Sequence, residues 1–157
     1  MNDIEKNSSE AIKSHELLIK ISHTINKDCF ALAVVLKNIR DKKLFLSLDY
    51  DTFESYCELS EANISYSQAK KFILVYERWI ETYGHKIEEI ADIPMEKLYI
   101  ASSQANSDNQ AEWLEKARTL PRDELRAETP GSPQKYRQVT CPYCGKEFPI
   151  KHVSKVD

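Results

Sequence analysis

The sequence predicts an all-α protein: a helical bundle containing a helix-turn-helix, followed by a small C-terminal β-hairpin resembling a zinc knuckle. Three observations lead there. Apolar residues recur at intervals of three and four through residues 8–128, the period of helices with one buried face. The chain of 157 residues has only three glycines, Gly84, Gly131 and Gly145, which disfavours glycine-rich phosphate loops and most sheet-rich enzymes. Ser, Thr, Asp or Asn precedes most of the apolar runs, where a helix start needs a side-chain acceptor.

Residues 1–7 are polar and are expected to be disordered. A first helix is predicted over 8–26, capped by Ser8 or Ser9, with Ile12, Leu18, Ile21 and Ile25 as its apolar stripe. Asp28 is read as the cap of a second helix, 29–42, with Phe30, Ala33, Val34, Leu36 and Ile39 inward. That helix ends in the basic cluster Arg40-Asp41-Lys42-Lys43, which suits the negative end of the helix dipole. Leu44 to Tyr50 is a short apolar connection with room for one helical turn.

The helix-turn-helix spans 52–83. Thr52 caps its first helix, with Phe53, Tyr56, Cys57, Leu59 and Ala62 on the inner side. Asn63 stands where the chain must leave that helix in a left-handed conformation, which asparagine tolerates best after glycine. Ile64 closes the turn as a buried staple. Ser65 caps the second helix, and Gln68, three residues on, completes a capping box. Ala69 marks the crossing, where two backbones approach and only a small side chain fits. The second helix continues through Phe72, Ile73, Trp79 and Tyr83 to Gly84, a C-terminal breaker.

Further helices are predicted around Ile87, Ile90 and Ile93, ending at Pro94, and over 95–105 with Leu98 and Ala101 inside. After the loop SQANSDNQ, Asp108 or Asn109 caps a helix carrying Trp113, Leu114 and Ala117. Pro121 opens a last helix, 121–128, through Leu125. Residues 129–138, beginning TPGSP, are a linker, and 139–157 are the tail.

This arrangement turns Ser65, Tyr66, Ser67, Gln68, Lys70 and Lys71 outward at the start of the second motif helix. In docked helix-turn-helix proteins that end reaches bases and phosphates. Ser65 and Ser67 suit phosphate at a helix N-terminus, and Lys70 and Lys71 suit phosphate or guanine. DNA is therefore the expected partner, bound by a homodimer whose two half-sites compensate for modest charge. The net charge of −3 is uneven: +1 over residues 1–50, −7 over 51–128 and +3 over 129–157. Phosphate neutralisation dominates DNA affinity, so binding has to come from local patches. Lys37, Arg40, Lys42 and Lys43 form one, Lys70 and Lys71 a second, and the tail a third. The alternative is an adaptor that grips a host protein through its acidic middle region, around Glu88 and Glu89.

The run YDTFESYCELSEANISYSQAKKFILVYERW, followed by WLEKARTLPRDEL, resembles a loosely defined set of helical phage and mobile-element proteins. In them a Tyr-x-x-Phe-x-x-Tyr lead-in precedes a helix-turn-helix and a Trp-Leu helix follows. The resemblance covers roughly residues 30–128 and implies a DNA-associated regulatory role. Where that set commonly has Leu-Gly-Ile-Ser at the turn, this chain has Ala62-Asn63-Ile64-Ser65.

Near the C-terminus, Cys141-Pro142-Tyr143-Cys144-Gly145 has the spacing of half a zinc knuckle. His152 is the third expected ligand of a structural zinc, and the fourth is open among His15, His23, His85 and a second chain. Cys29 and Cys57 fall on apolar helix faces and read as core residues. Nothing matches a nucleophile elbow, a phosphate loop or a paired-histidine zinc helix, so no enzyme is expected. No apolar run reaches bilayer length and the polar N-terminus is no signal peptide, so the expected location is cytoplasmic, away from membranes.

Overall fold

A computed structural model of the chain describes residues 3–130, 136–140 and 147–151. The described residues are mostly helical. In order they form α1 (Asp3–Asp41), a 3-10 turn (Leu44–Leu48), α2 (Phe53–Leu59), α3 (Tyr66–Tyr76) and a π-helical turn (Glu77–Thr82). Then come α4 (Ile87–Ile90), α5 (Met95–Ser102), α6 (Gln110–Thr119) and α7 (Arg122–Ala127). Two strands, β1 (Tyr136–Thr140) and β2 (Glu147–Lys151), pair antiparallel with Val139 opposite Phe148.

The first two predicted helices are one. α1 runs unbroken for 39 residues, starting inside the stretch expected to be disordered. No glycine or proline interrupts it, and Asp28 lies exposed on its side instead of capping a new start. One aspartate inside a helix costs under about 1 kcal/mol, less than breaking the backbone ladder around it. Phe30, Ala33 and Leu36 keep a single buried face at the i, i+3 spacing, so packing favours continuity. Val34, expected inside, is 40% exposed, because it falls on the other side of the same helix.

Two apolar clusters meet at α3. The smaller one gathers Leu36, Phe45, Phe53, Cys57, Ile64, Ala69 and Ile73. The larger one joins Phe30, Val75 and Trp79 to α5, α6 and α7 through Leu98, Trp113, Leu114 and Leu125. Phe72 packs against both. α3 is thus the central beam, flanked by α1 and α5. Trp79 anchors the larger cluster, its indole N–H donating to Ser102 Oγ at 2.8 Å and lying 3.1 Å from the Leu98 carbonyl. The wider π turn lets the amides of Gly84 and His85 turn back onto the carbonyls of Ile80 and Trp79. Gly84 stops the helix in a left-handed conformation, φ 74°, as its position predicts. α1 is also clipped to the body: Asn26 donates to the Ala91 carbonyl, 2.9 Å, and Arg40 pairs with Glu77, 2.5 Å.

Candidate nucleic-acid interface

α2 starts as the sequence predicts. Thr52 and Ser55 cap it reciprocally, the Ser55 amide donating to Thr52 Oγ1 at 3.0 Å and the Thr52 amide to Ser55 Oγ at 3.2 Å. Phe53 and Cys57, four apart, take the buried face. Leu59 lies about 200° further round from Cys57, which turns it to solvent, and it is 75% exposed. Ala62 is exposed as well, because α2 ends at Leu59 and Ala62 belongs to the turn. Both were expected inside; the apolar spacing survives only to Cys57.

The turn itself is built as expected. Ser60 Oγ accepts from the Ala62 amide, and Asn63 adopts φ 46°. Ile64 is buried. Ser65 caps α3 by accepting the Gln68 amide at 3.2 Å. Only this forward half of the expected capping box forms: Gln68 supplies its backbone amide. Ala69 is wholly buried within the smaller cluster.

The outward set divides. Ser65, Ser67, Gln68 and Lys70 are exposed on the first turns of α3. Tyr66 is half-buried and packs edge-on against Phe53, centroids 6.2 Å apart, within the smaller cluster. Lys70 lies over the Tyr66 ring, Nζ 4.4 Å from its centroid, a cation–π contact that orders both. Lys71 is half-buried because α5 runs alongside α3: its Nζ sits 3.8 Å from the Glu96 carboxylate and 5.1 Å from the Tyr99 ring. The expectation that Tyr66 and Lys71 project freely is therefore corrected; only Lys70 of the three stands on the open face.

Glu96 gathers more than Lys71. Arg122 and Arg126, one turn apart on α7, reach the same carboxylate at 3.1 and 3.3 Å. Lys71, Arg122 and Arg126 thus converge on one carboxylate. Beside it a groove of about 380 Å³ is lined by Ser65, Ser67, Gln68, Lys71, Tyr99 and Glu96. A second hollow, about 280 Å³, adds Arg78 and Arg126 around Tyr99 and Ser103. Arg78, Arg122 and Arg126 went unread in the sequence. The i, i+4 spacing of Arg122 and Arg126 was the available signal, but nothing local says that α7 packs on α5 and so brings both to Glu96.

The basic cluster at the end of α1 is mostly spent internally. Lys37 bonds Asp41 at 2.8 Å and lies 3.4 Å from Glu81, and Arg40 is held by Glu77 and Asp41. The Asp41 bond, chiefly, raises the pKa of Lys37 above its ordinary value. Lys42 and Lys43 are exposed.

Cys141, Cys144 and His152 lie outside the described residues, and the zinc reading lies there with them. Among the described residues no group of three His, Cys, Asp or Glu side chains is set to hold a metal. His85 is occupied elsewhere: Nε2 bonds Gln110 Oε1 at 2.8 Å and the ring sits beside Trp79. Cys57 is buried and Cys29 half-buried, both as expected, and burial above all raises the pKa of each thiol. Among the described residues no helix is long and apolar enough to cross a membrane. Comparison with known protein families, curated proteins and solved structures gives no match for this chain.

Proposed function

We propose that this protein binds double-stranded DNA through the first turns of α3, as a transcriptional regulator of the phage and mobile-element kind. The observation that carries this reading is the burial of Ala69 beneath an exposed Ser65, Ser67, Gln68 and Lys70. The packing of α3 on its buried face leaves polar and basic groups at a helix N-terminus, where groove readers make base and phosphate contacts. Lys71 on α3 and Arg122 and Arg126 on α7 converge on Glu96 of α5, a basic patch that suits the phosphate backbone beside a groove.

Selection from a random DNA pool, followed by binding across a salt series, tests this. Affinity is expected to fall steeply with salt, and Lys70→Ala and Arg122→Ala to weaken binding to all sequences and flatten the salt slope. Absence of any binding at low salt sinks the reading.

In the same proposal the tail holds a structural zinc in a knuckle-like hairpin, using Cys141, Cys144 and His152, a donor set that suits zinc chemistry. Its fourth ligand comes from another histidine or from a second chain. Metal analysis before and after chelation reads this directly, and protein purified without zinc and unchanged by its addition removes it. The adaptor reading draws on the exposure of Glu88 and Glu89. It requires a host-protein complex that charge reversal at those two residues breaks.

A further inference from the structure

α1 does two jobs along its length. From Asn26 onward one face is built into the body, through Phe30, Ala33 and Leu36. Every residue from Ile12 to Ile25 is exposed, although the stretch contains six large aliphatic side chains. An isolated helix of that length is marginal in water and gains its stability from packing.

Of the nine exposed large aliphatic side chains among the described residues of α1, five share one register, and Ile12, Leu17, Ile19 and Val34 lie outside it. Leu18, Ile21, Ile25, Leu32 and Val35 stand at alternating intervals of three and four, with Asp28 filling the one remaining position. All five are between 40% and 60% exposed. They form a narrow stripe about 26 Å long, turned roughly 100° away from the face that packs on the body. N-terminal of Leu18 the same register passes through Ser14, Ala11, Asn7 and Ile4, so the continuous apolar seam begins at Leu18. Seven-residue spacing of this kind is the device by which two like helices pair, each side chain filling a hole in the facing helix. Among the described residues no other helix presents such a stripe.

We infer that α1 is a self-association helix: two copies of this chain pair along the Leu18–Val35 seam as a short two-helix coiled coil. The area fits. The five half-exposed side chains and their flanks amount to on the order of 500 Å² per copy, about 1,000 Å² over two copies, which is the lower bound for a specific interface. A second copy is the occupant that carries the matching stripe, at the matching spacing and length. Asp28 is the seam's polar interruption, which lowers affinity and limits the ways two such helices can slide past each other. The inference is independent of DNA binding: pairing is read from mass, not from any nucleic acid.

Sedimentation equilibrium of the full chain tests it. The wild type is expected to be a dimer at micromolar concentration. Ile25→Glu, a change at an exposed position, is expected to weaken pairing by roughly 100-fold or more by placing a charge in the seam. Asp28→Leu is expected to tighten it by about 10-fold or more. Val34→Glu, equally on α1 but off the stripe, is expected to leave the mass unchanged. Circular dichroism confirms that each variant stays helical. A wild type that is monomeric at about 100 µM overturns the inference, as does a dimer indifferent to Ile25→Glu, or one broken equally by Val34→Glu.

Discussion

Trp79 and Ser102 are hydrogen-bonded in the interior, indole N–H to hydroxyl oxygen at 2.8 Å, tying the π turn to α5. Both side chains are essentially inaccessible to water. Ser102 in turn donates to the Leu98 carbonyl at 2.7 Å, so the serine is satisfied on both sides. The Leu98 carbonyl also lies within reach of the indole and remains as a partner if the serine is lost. Ser102→Ala is therefore expected to cost only about 1 kcal/mol, whereas Trp79→Ala, which also empties the centre of the larger cluster, should cost about 3–5 kcal/mol. Urea denaturation followed by far-UV circular dichroism gives both values. Equal losses for the two variants would contradict this account of the core.

The α2–α3 crossing makes a sharper contrast. Ala69 is wholly buried and Leu59 is 75% exposed, so the smaller residue is the more important one. Ala69→Leu is expected to destabilise by about 1–3 kcal/mol or more through overpacking. Leu59→Ala is expected to change stability by less than about 0.5 kcal/mol. Thermal melting of the two variants side by side is sufficient to read the order, and a reversed order would refute the crossing as described.

Acid should act on the contact between α6 and the residues after α4. Arg118 Nε lies 2.6 Å from Asp92 Oδ2, and its Nη2 donates to the Glu89 carbonyl at 3.1 Å. That bond, opposed by partial burial, holds the Asp92 carboxyl below its ordinary pKa. The unfolded chain then takes up the proton first. The contribution is present above the unfolded value of about 3.9 and is lost as pH falls through the lower folded value. Asp92→Asn is expected to be less stable than wild type near neutrality, with the gap closing below about pH 4. Denaturation midpoints at pH 7 and pH 3 measure it; a gap that stays constant across that range rules out the linkage.

Cys57 provides a probe of the smaller cluster. It is fully buried, and burial above all, with Glu58 adding to it, raises the pKa of its thiol. The thiolate is the reactive form, so labelling of Cys57 by an alkylating reagent is expected to require opening of the cluster. Mass spectrometry of the modified peptide under native and denaturing conditions separates the cases. Labelling of native protein at the rate of an exposed thiol would show that α2 is not seated as described.

Local physics settled most of the helices in advance. Caps at Thr52 and Ser65, the left-handed Asn63 and the breaker Gly84 are decided by one or a few neighbouring residues, so their positions could be read from the residues alone. Burial of Ile64, Ala69 and Trp79 followed from the same spacing. Where a boundary depended on a choice between two nearly equal local options, the sequence misled: Asp28 resembles a cap, yet the continuous packing face of Phe30, Ala33 and Leu36 outweighs it. Leu59 and Ala62 failed for the converse reason, since an early helix end rotates everything after it.

What only the tertiary structure decided is which distant charges meet. Arg122 and Arg126 reach the Glu96 carboxylate that Lys71 also faces, while Lys37 and Arg40 are drawn away to Glu81 and Glu77. Ion pairing across many residues depends on how whole helices pack, and helical periodicity contains no information about that. The same holds for the stripe on α1: the sequence set its spacing, but only the packing of the body left it exposed to solvent.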